Sequence, residues 1–131
     1  MSLLVLGTVA FDTIETSFGK AERILGGAAT YTCITSSYFT QANILSIVGF
    51  DFATQHFQLL KAHNINLVGL NIHEKEKTFF WSGKYHKNMN VRDTIETELN
   101  VLLKFNPIIP NQLINSEFVM LGNVIPSIQL K

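Results

Sequence analysis

Three short apolar runs, LLVL at 3–6, NILSIVG at 43–49 and NLVGLNI at 66–72, are separated by segments long enough to be helices. This alternation limits the fold more than any other feature, because parallel strands need long crossovers between them and a helix is the usual one. The order strand, helix, strand, helix, strand predicts a layered α/β domain with a largely parallel sheet.

The two intervening segments differ in character. Residues 27–39 are rich in Ala, Ser and Thr and include the β-branched Thr30, Thr32, Ile34 and Thr35, which are weak helix formers. Small side chains there favour a helix packed tightly against a sheet. In FATQHFQLLKAHNI, Phe52, Ala53, His56, Phe57, Leu60 and Ala62 approximate an amphipathic stripe. The opening run meets Gly7 and then a polar break at Asp12, so a buried strand is expected to enter a turn there.

After residue 77 the rhythm changes. TFFWSGKYH at 78–86 and VRDTIET at 91–97 mix aromatic and charged residues, with KNMN between them, as in an exposed hairpin or flap. Pro107 and Pro110 mark a loop, NQLINS suits one helical turn, and EFVMLGNVI reads as a last buried strand, after which Pro126 would start another helix.

A chain of 131 residues fits one domain. Its composition, 47% hydrophobic and 15% charged, is too apolar for disorder, and no run approaches the ~20 apolar residues of a membrane span. Ten basic residues balance ten acidic ones, which leaves no overall field to attract nucleic acid or an anionic membrane. Lys75, Lys77, Lys84, Lys87 and Arg92 are interleaved with acids and aromatics and read as a solvated surface. The single Cys33 can form no internal disulfide, and MSLLVLGTVAFD lacks the features of a signal peptide, so a cytoplasmic location is expected.

Chemistry gathers around residues 12 and 26–27. A glycine pair at a helix start lets a ligand approach unpaired backbone N–H groups, and an ionised Asp12 could accept hydrogen bonds from two adjacent hydroxyls. Taken singly, Gly26-Gly27 could be an ordinary turn and Asp12 a turn residue or cap. There is no G-x-G-x-x-G, no phosphate-binding G-x-x-x-x-G-K, no zinc-like His spacing and no nucleophile elbow. The histidines at 56, 63, 73 and 86 are scattered, and nothing beside Cys33 would lower its pKa, which suits packing better than catalysis.

Taken together, VLGTVAFDTI at 5–14, GKAERILGGAATYTCITSSYF at 19–39 and ILSIVGFDF at 44–52 resemble the amino-terminal signature of the PfkB, or ribokinase-like, family of carbohydrate and nucleoside kinases. The resemblance continues through TFFWSGKY to LGNVIPSIQ, covering the whole chain but only about the first half of a typical member. It implies a Rossmann-like α/β/α fold with a small β-sheet lid, formed by strands at about 78–97, that ends before the ATP-binding half. Residues 1–131 would then be the amino-terminal part of a single kinase domain.

The resemblance also implies roles. Asp12 would bind acceptor hydroxyls, and Gly26 and Gly27 would let the acceptor lie close to the backbone. Tyr31 stands where ribokinase itself has an asparagine; a phenol offers a stacking face and one hydroxyl, which argues against ribose and admits a bulkier or aromatic acceptor such as a nucleoside. Gly49 and Asp51 match a structural part of the signature. Phe79, Phe80, Trp81 and Tyr85 would contribute lid contacts to the acceptor or to a partner, or simply stabilise a thin sheet, and in some members the lid forms a homodimer contact.

The family's catalytic Gly-Ala-Gly-Asp motif does not occur in the sequence. ATP and Mg are therefore expected cofactors of a full-length enzyme, with none bound by this chain alone, which is expected to be inactive. Rival readings are a non-catalytic ligand-binding fragment, a gene remnant, and a subunit completed by a separate second half.

Overall fold

The computed structural model describes all 131 residues, Met1–Lys131. Strands are β1 (Ser2–Leu6), β2 (Ala10–Thr16), β3 (Gly19–Gly26), β4 (Gln41–Gly49), β5 (Asn66–His73), β6 (Phe79–Tyr85), β7 (Arg92–Glu98) and β8 (Phe118–Leu121). Helices are α1 (Ala28–Ser36), α2 (Thr54–Ala62) and the short α3 (Pro126–Gln129), with single 3-10 turns at Asn100–Lys104 and Asn111–Leu113. They build two four-stranded sheets, in the orders β5-β4-β1-β8 and β3-β2-β6-β7.

The first sheet is parallel throughout, as the alternation of apolar runs predicts. Strand periodicity sends neighbouring residues to opposite faces, and here both faces are covered. Val5, Ile44 and Val48 join Cys33 of α1 and Leu60 of α2 on one side. Leu4, Leu6, Leu45 and Ile47 pack on the other against Val101, Phe105 and Leu113, next to the 3-10 turns and α3. The small side chains of α1 serve this packing, since Ala29, Thr30 and Cys33 face the sheet and are all but inaccessible. Burial pushes the Cys33 thiol up to about 12, so the residue is packing material with little thiolate at neutral pH.

The second sheet departs from the sequence reading in an instructive way. Residues 78–98 do form an antiparallel pair, β6 and β7, but β2 and β3 join them, with β2 parallel to β6. Asp12 therefore lies within a strand and not at a turn, and the small sheet draws on residues 10–26 as well as on the 78–97 segment. The β2–β3 hairpin escaped notice because its residues alternate polar and apolar only weakly, as suits a thin sheet with much solvent exposure. The final strand also differs from expectation. β8 sits at the edge of the parallel sheet and Phe118, Val119, Met120 and Leu121 are all exposed.

A compact polar clasp joins the two sheets. Beyond the end of β4, Asp51 Oδ1 accepts hydrogen bonds from Thr78 N–H and Thr78 Oγ1, both at 2.7 Å, while Thr78 Oγ1 accepts from Gly49 N–H at 2.9 Å. The other carboxylate oxygen pairs with Arg23 at 3.3 Å, and that guanidinium lies 5.1 and 5.4 Å from the Phe11 and Phe80 rings. Gly49 is required because a Cβ there would meet the Glu76 carbonyl oxygen at 2.2 Å. Asp51 and Gly49 thus hold the base of the small sheet. Phe11, stacked on Phe52 with centroids 5.9 Å apart, adds an apolar seat beside it.

Asp51→Ala should leave the buried Thr78 N–H without its acceptor and lower stability by about 1–3 kcal/mol. Urea denaturation measures this, and a loss below about 0.5 kcal/mol would show that the clasp is dispensable.

Candidate functional site

In the parallel sheet the chain runs from β1 outward through β4 and β5, then returns to place β8 on the other side of β1. The loops following β1 and β8 consequently diverge at the carboxyl end of the sheet, the position where open α/β sheets form their ligand crevice. Thr8 follows β1 and Asn123 follows β8, and both line a cavity of about 240 Å³ roofed by the small sheet through Asp12, Phe79, Trp81 and Tyr85. A larger and mostly apolar cavity of about 690 Å³ adjoins it, sharing Thr8, Phe79 and Asn123.

The glycine pair is also required by packing. Gly27 has φ +97° and ψ 150°, a region closed to side chains, and a Cβ would lie 2.3 Å from the Thr8 carbonyl oxygen. That close approach lets Thr8 occupy the start of α1. Its Oγ1 accepts from Ala28 N–H at 3.1 Å and its carbonyl from Ala29 N–H at 2.9 Å. Two of the N–H groups expected to be free for a ligand are therefore already bonded to Thr8. Gly26 has a different task, since a Cβ there would collide with the Asp12 carboxylate, 2.1 Å from Oδ2. The missing side chain makes room for Asp12.

Local irregularity aims that carboxylate. The β2–β3 register shifts between Asp12 and Ile14, with Arg23 at φ +48° and its N–H donating to Thr13 Oγ1 at 3.1 Å. Such a bulge bends the strand and re-aims its neighbours. Asp12 makes no hydrogen bond or ion pair within the protein, and partial burial raises its carboxyl pKa above the ordinary value. A half-buried carboxylate with vacant acceptor positions can bind donors such as hydroxyl groups.

The structure brings Asp12, Gly27, Phe79 and Trp81 to this cavity. Gly26 stands behind Asp12, while Tyr31 does not line the cavity and is 56% exposed on α1. Tyr31 lies one helical turn after Ala28, which does line the cavity, so its exposed ring is on the adjoining surface of α1. Phe80 faces away, into the seat beside Phe11 and Phe52. Asp51 belongs to the clasp and not to the cavity.

Thr8, Asn123 and Arg92 were not singled out as site residues by the sequence. The first two could have been found as the positions following β1 and β8. Arg92, grouped above with surface lysines, lines the cavity and lies 5.7 Å from the Trp81 ring centroid. No helix is long and apolar enough to cross a membrane.

No family model and no curated protein matches the chain by sequence. Solved structures do. The nucleoside kinase of Methanocaldococcus jannaschii, an archaeal member of the ribokinase family, is 25% identical with a TM-score of 0.77, over 99% of this chain and 47% of that one. Ribokinase from Cryptococcus neoformans var. grubii serotype A, crystallised with ADP, is 17% identical with a TM-score of 0.74, over 98% and 42%. The Burkholderia thailandensis nucleoside kinase, crystallised with inosine, is 14% identical with a TM-score of 0.66, over 78% and 37%. The chain spans less than half the length of each of these proteins.

Because burial raises the Asp12 pKa, the folded state binds that proton more tightly than the unfolded state does, and the group's contribution to stability falls as pH rises from 3.8 through the raised value. Asp12→Asn should therefore raise the melting temperature at pH 7, with the gain shrinking as the pH is lowered toward 3.8. A gain independent of pH, or a loss at pH 7, would contradict this electrostatic account.

Proposed function

We propose that this chain, which has the ribokinase-like fold, forms the acceptor-binding half and lid of a kinase that phosphorylates a hydroxyl of a sugar or nucleoside. The observation that carries the proposal is Asp12: an unpaired carboxylate, seated by Gly26 at the crevice of an α/β sheet and covered by the aromatic residues Phe79 and Trp81. Vicinal hydroxyls would satisfy its vacant acceptor positions, each charge-assisted bond contributing about 1.5–3 kcal/mol when shielded from water. The inosine held by the Burkholderia thailandensis enzyme and the kinship of fold to the Methanocaldococcus jannaschii enzyme favour a nucleoside over a free sugar.

The roof has a second use. Closing the small sheet over the acceptor would exclude water, the competing nucleophile in phosphoryl transfer. ATP and Mg are the expected co-substrate and metal of the complete enzyme, consistent with the ADP in the Cryptococcus neoformans ribokinase. The residues of this chain do not fit that group. No three His, Cys, Asp or Glu side chains converge on a metal position, and Lys131 is the only charged residue lining the larger cavity. Transfer needs donors and a metal on the moving phosphoryl group, so the chain's own chemistry stops at holding the acceptor.

A subunit completed by a separate chain is a second reading of the same shelf, favoured by the exposed apolar residues of β8 beside the larger cavity.

Two outcomes test the proposal. In calorimetric titration with a panel of sugars and nucleosides, Asp12→Ala should abolish binding. Gly26→Ala should weaken it at least tenfold by displacing the carboxylate, while both variants keep the far-ultraviolet circular dichroism of the parent. Unchanged affinity in Asp12→Ala would remove that residue from the site. Purified chain incubated with ATP, Mg and the same acceptors should yield no phosphorylated product, and detectable turnover would show that the residues here suffice for catalysis.

A further inference from the structure

Arg92 pairs with Tyr85 across β6 and β7, four residues along the strand from Trp81, a displacement of roughly 13 Å at the usual rise. Its guanidinium nevertheless lies 5.7 Å from the Trp81 ring centroid. The gap closes because the indole leans toward Arg92: its ring lies over Gly83 and its N–H donates to Thr94 Oγ1 at 3.4 Å, both two residues nearer that end of the sheet. Nothing in the protein neutralises it. The ion pairs of the small sheet are Lys20–Glu22, Arg23–Asp51, Lys84–Glu15 and His86–Asp93, and the Arg92 side chain makes no ion pair or hydrogen bond. By register Asp12 lies level with Trp81 and Arg92 level with Tyr85, four residues apart on β6, which sets the two charges toward opposite ends of the cavity.

The cavity therefore holds one anion and one cation, apart from each other and both unpaired, as its only charged lining residues. Their charges cancel, which suits a neutral acceptor; a phosphorylated sugar would face the Asp12 carboxylate with a single counter-charge. Trp81 and Tyr85 lie along the sheet from Asp12 to Arg92, with Phe79 beyond Asp12; their rings suit a planar group, and a guanidinium already lying over an indole extends that stacking surface.

Resting on the reading of this cavity as an acceptor site, we infer that Arg92 is a specificity residue that selects 6-oxopurine nucleosides over 6-aminopurine ones. Asp12 takes the sugar hydroxyls at one end, and Arg92 takes the base edge at the other. A guanidinium is a donor-only fork. The O6 and N7 of a 6-oxopurine are two acceptors at matching spacing, whereas a 6-aminopurine presents an amino donor in place of O6. The unfavourable donor–donor encounter discriminates as much as the favourable pair does.

Trp81 is the only tryptophan in the chain, so its indole N–H resonance reports occupancy of this cavity even for weak ligands. Titrating the full chain with inosine, adenosine and ribose 5-phosphate should show inosine binding about tenfold or more tighter than adenosine, and ribose 5-phosphate weaker than inosine. Arg92→Met should bring inosine and adenosine within about twofold of each other. Arg92→Lys, which keeps the charge but loses the fork, should lose most of the preference as well. Equal binding of the two nucleosides, a preference that survives Arg92→Met, or tighter binding of ribose 5-phosphate would overturn the inference. If those ligands still bind in an Asp12-dependent way, only the role of Arg92 fails; if none of them shifts the Trp81 resonance, the acceptor reading fails with it.

Discussion

The contact between Thr8 and Gly27 is the constraint on which the arrangement depends. Where the chain leaves the parallel sheet, Thr8 bonds two N–H groups at the start of α1, and only a residue without a side chain can bring the helix that close. This fixes α1 against β1, where Ala29 packs within 3.1 Å of the position a Gly7 Cβ would take. It also fixes the end of β3, so that Gly26 lies beside Asp12 and β2 leaves in the direction needed to roof the crevice. Two N–H groups at the start of α1 are thus bonded internally, while Gly27 and Ala28 still line the cavity beside the side chains of the small sheet.

That division gives each polar group one task. Asp51 and Asp12 are both carboxylates near the base of the small sheet, yet their surroundings separate them. Asp51 receives two hydrogen bonds from Thr78 and an ion pair from Arg23, which makes it a structural tie. Asp12 receives nothing from the protein and is raised by burial, which leaves its acceptor positions for something else. The same logic separates Arg23, held by Asp51 over two phenyl rings, from Arg92, held over an indole with no acid. Within the small sheet, the paired Arg23 and Asp51 belong to the clasp, whereas Asp12 and Arg92 line the cavity.

Much of the scaffold was legible in the sequence. The runs containing Val5, Ile44 and Leu70 announce strands buried on both faces, and their spacing demands crossovers, which became α1 and α2. Asp12 and the glycine pair were also visible as special positions. The β2–β3 hairpin was not, because an exposed thin sheet leaves a weak hydrophobic alternation and its stability comes from pairing with β6, far along the chain. Tyr31 sits one helical turn beyond Ala28, and spacing from the glycines alone does not tell that its ring is exposed and not among the residues lining the cavity. Arg92 reads in the sequence as one more surface cation, and only its place beside Trp81 in the cavity lining separates it from its lysine neighbours.

By itself the sequence determined the layered α/β class, the special positions at 12, 26 and 27, and the absence of a phosphate-transfer motif, since these follow from local periodicity, backbone freedom and residue type. Tertiary structure decided what those features are for. It joined residues 10–26 to residues 79–98 in one sheet, gave the α1 terminus to Thr8, and left Asp12 and Arg92 as the unpaired charges of a single cavity. The reason is physical: periodicity and torsional preference act within a few residues, whereas pairing, burial and charge compensation are settled between residues that only the fold brings together.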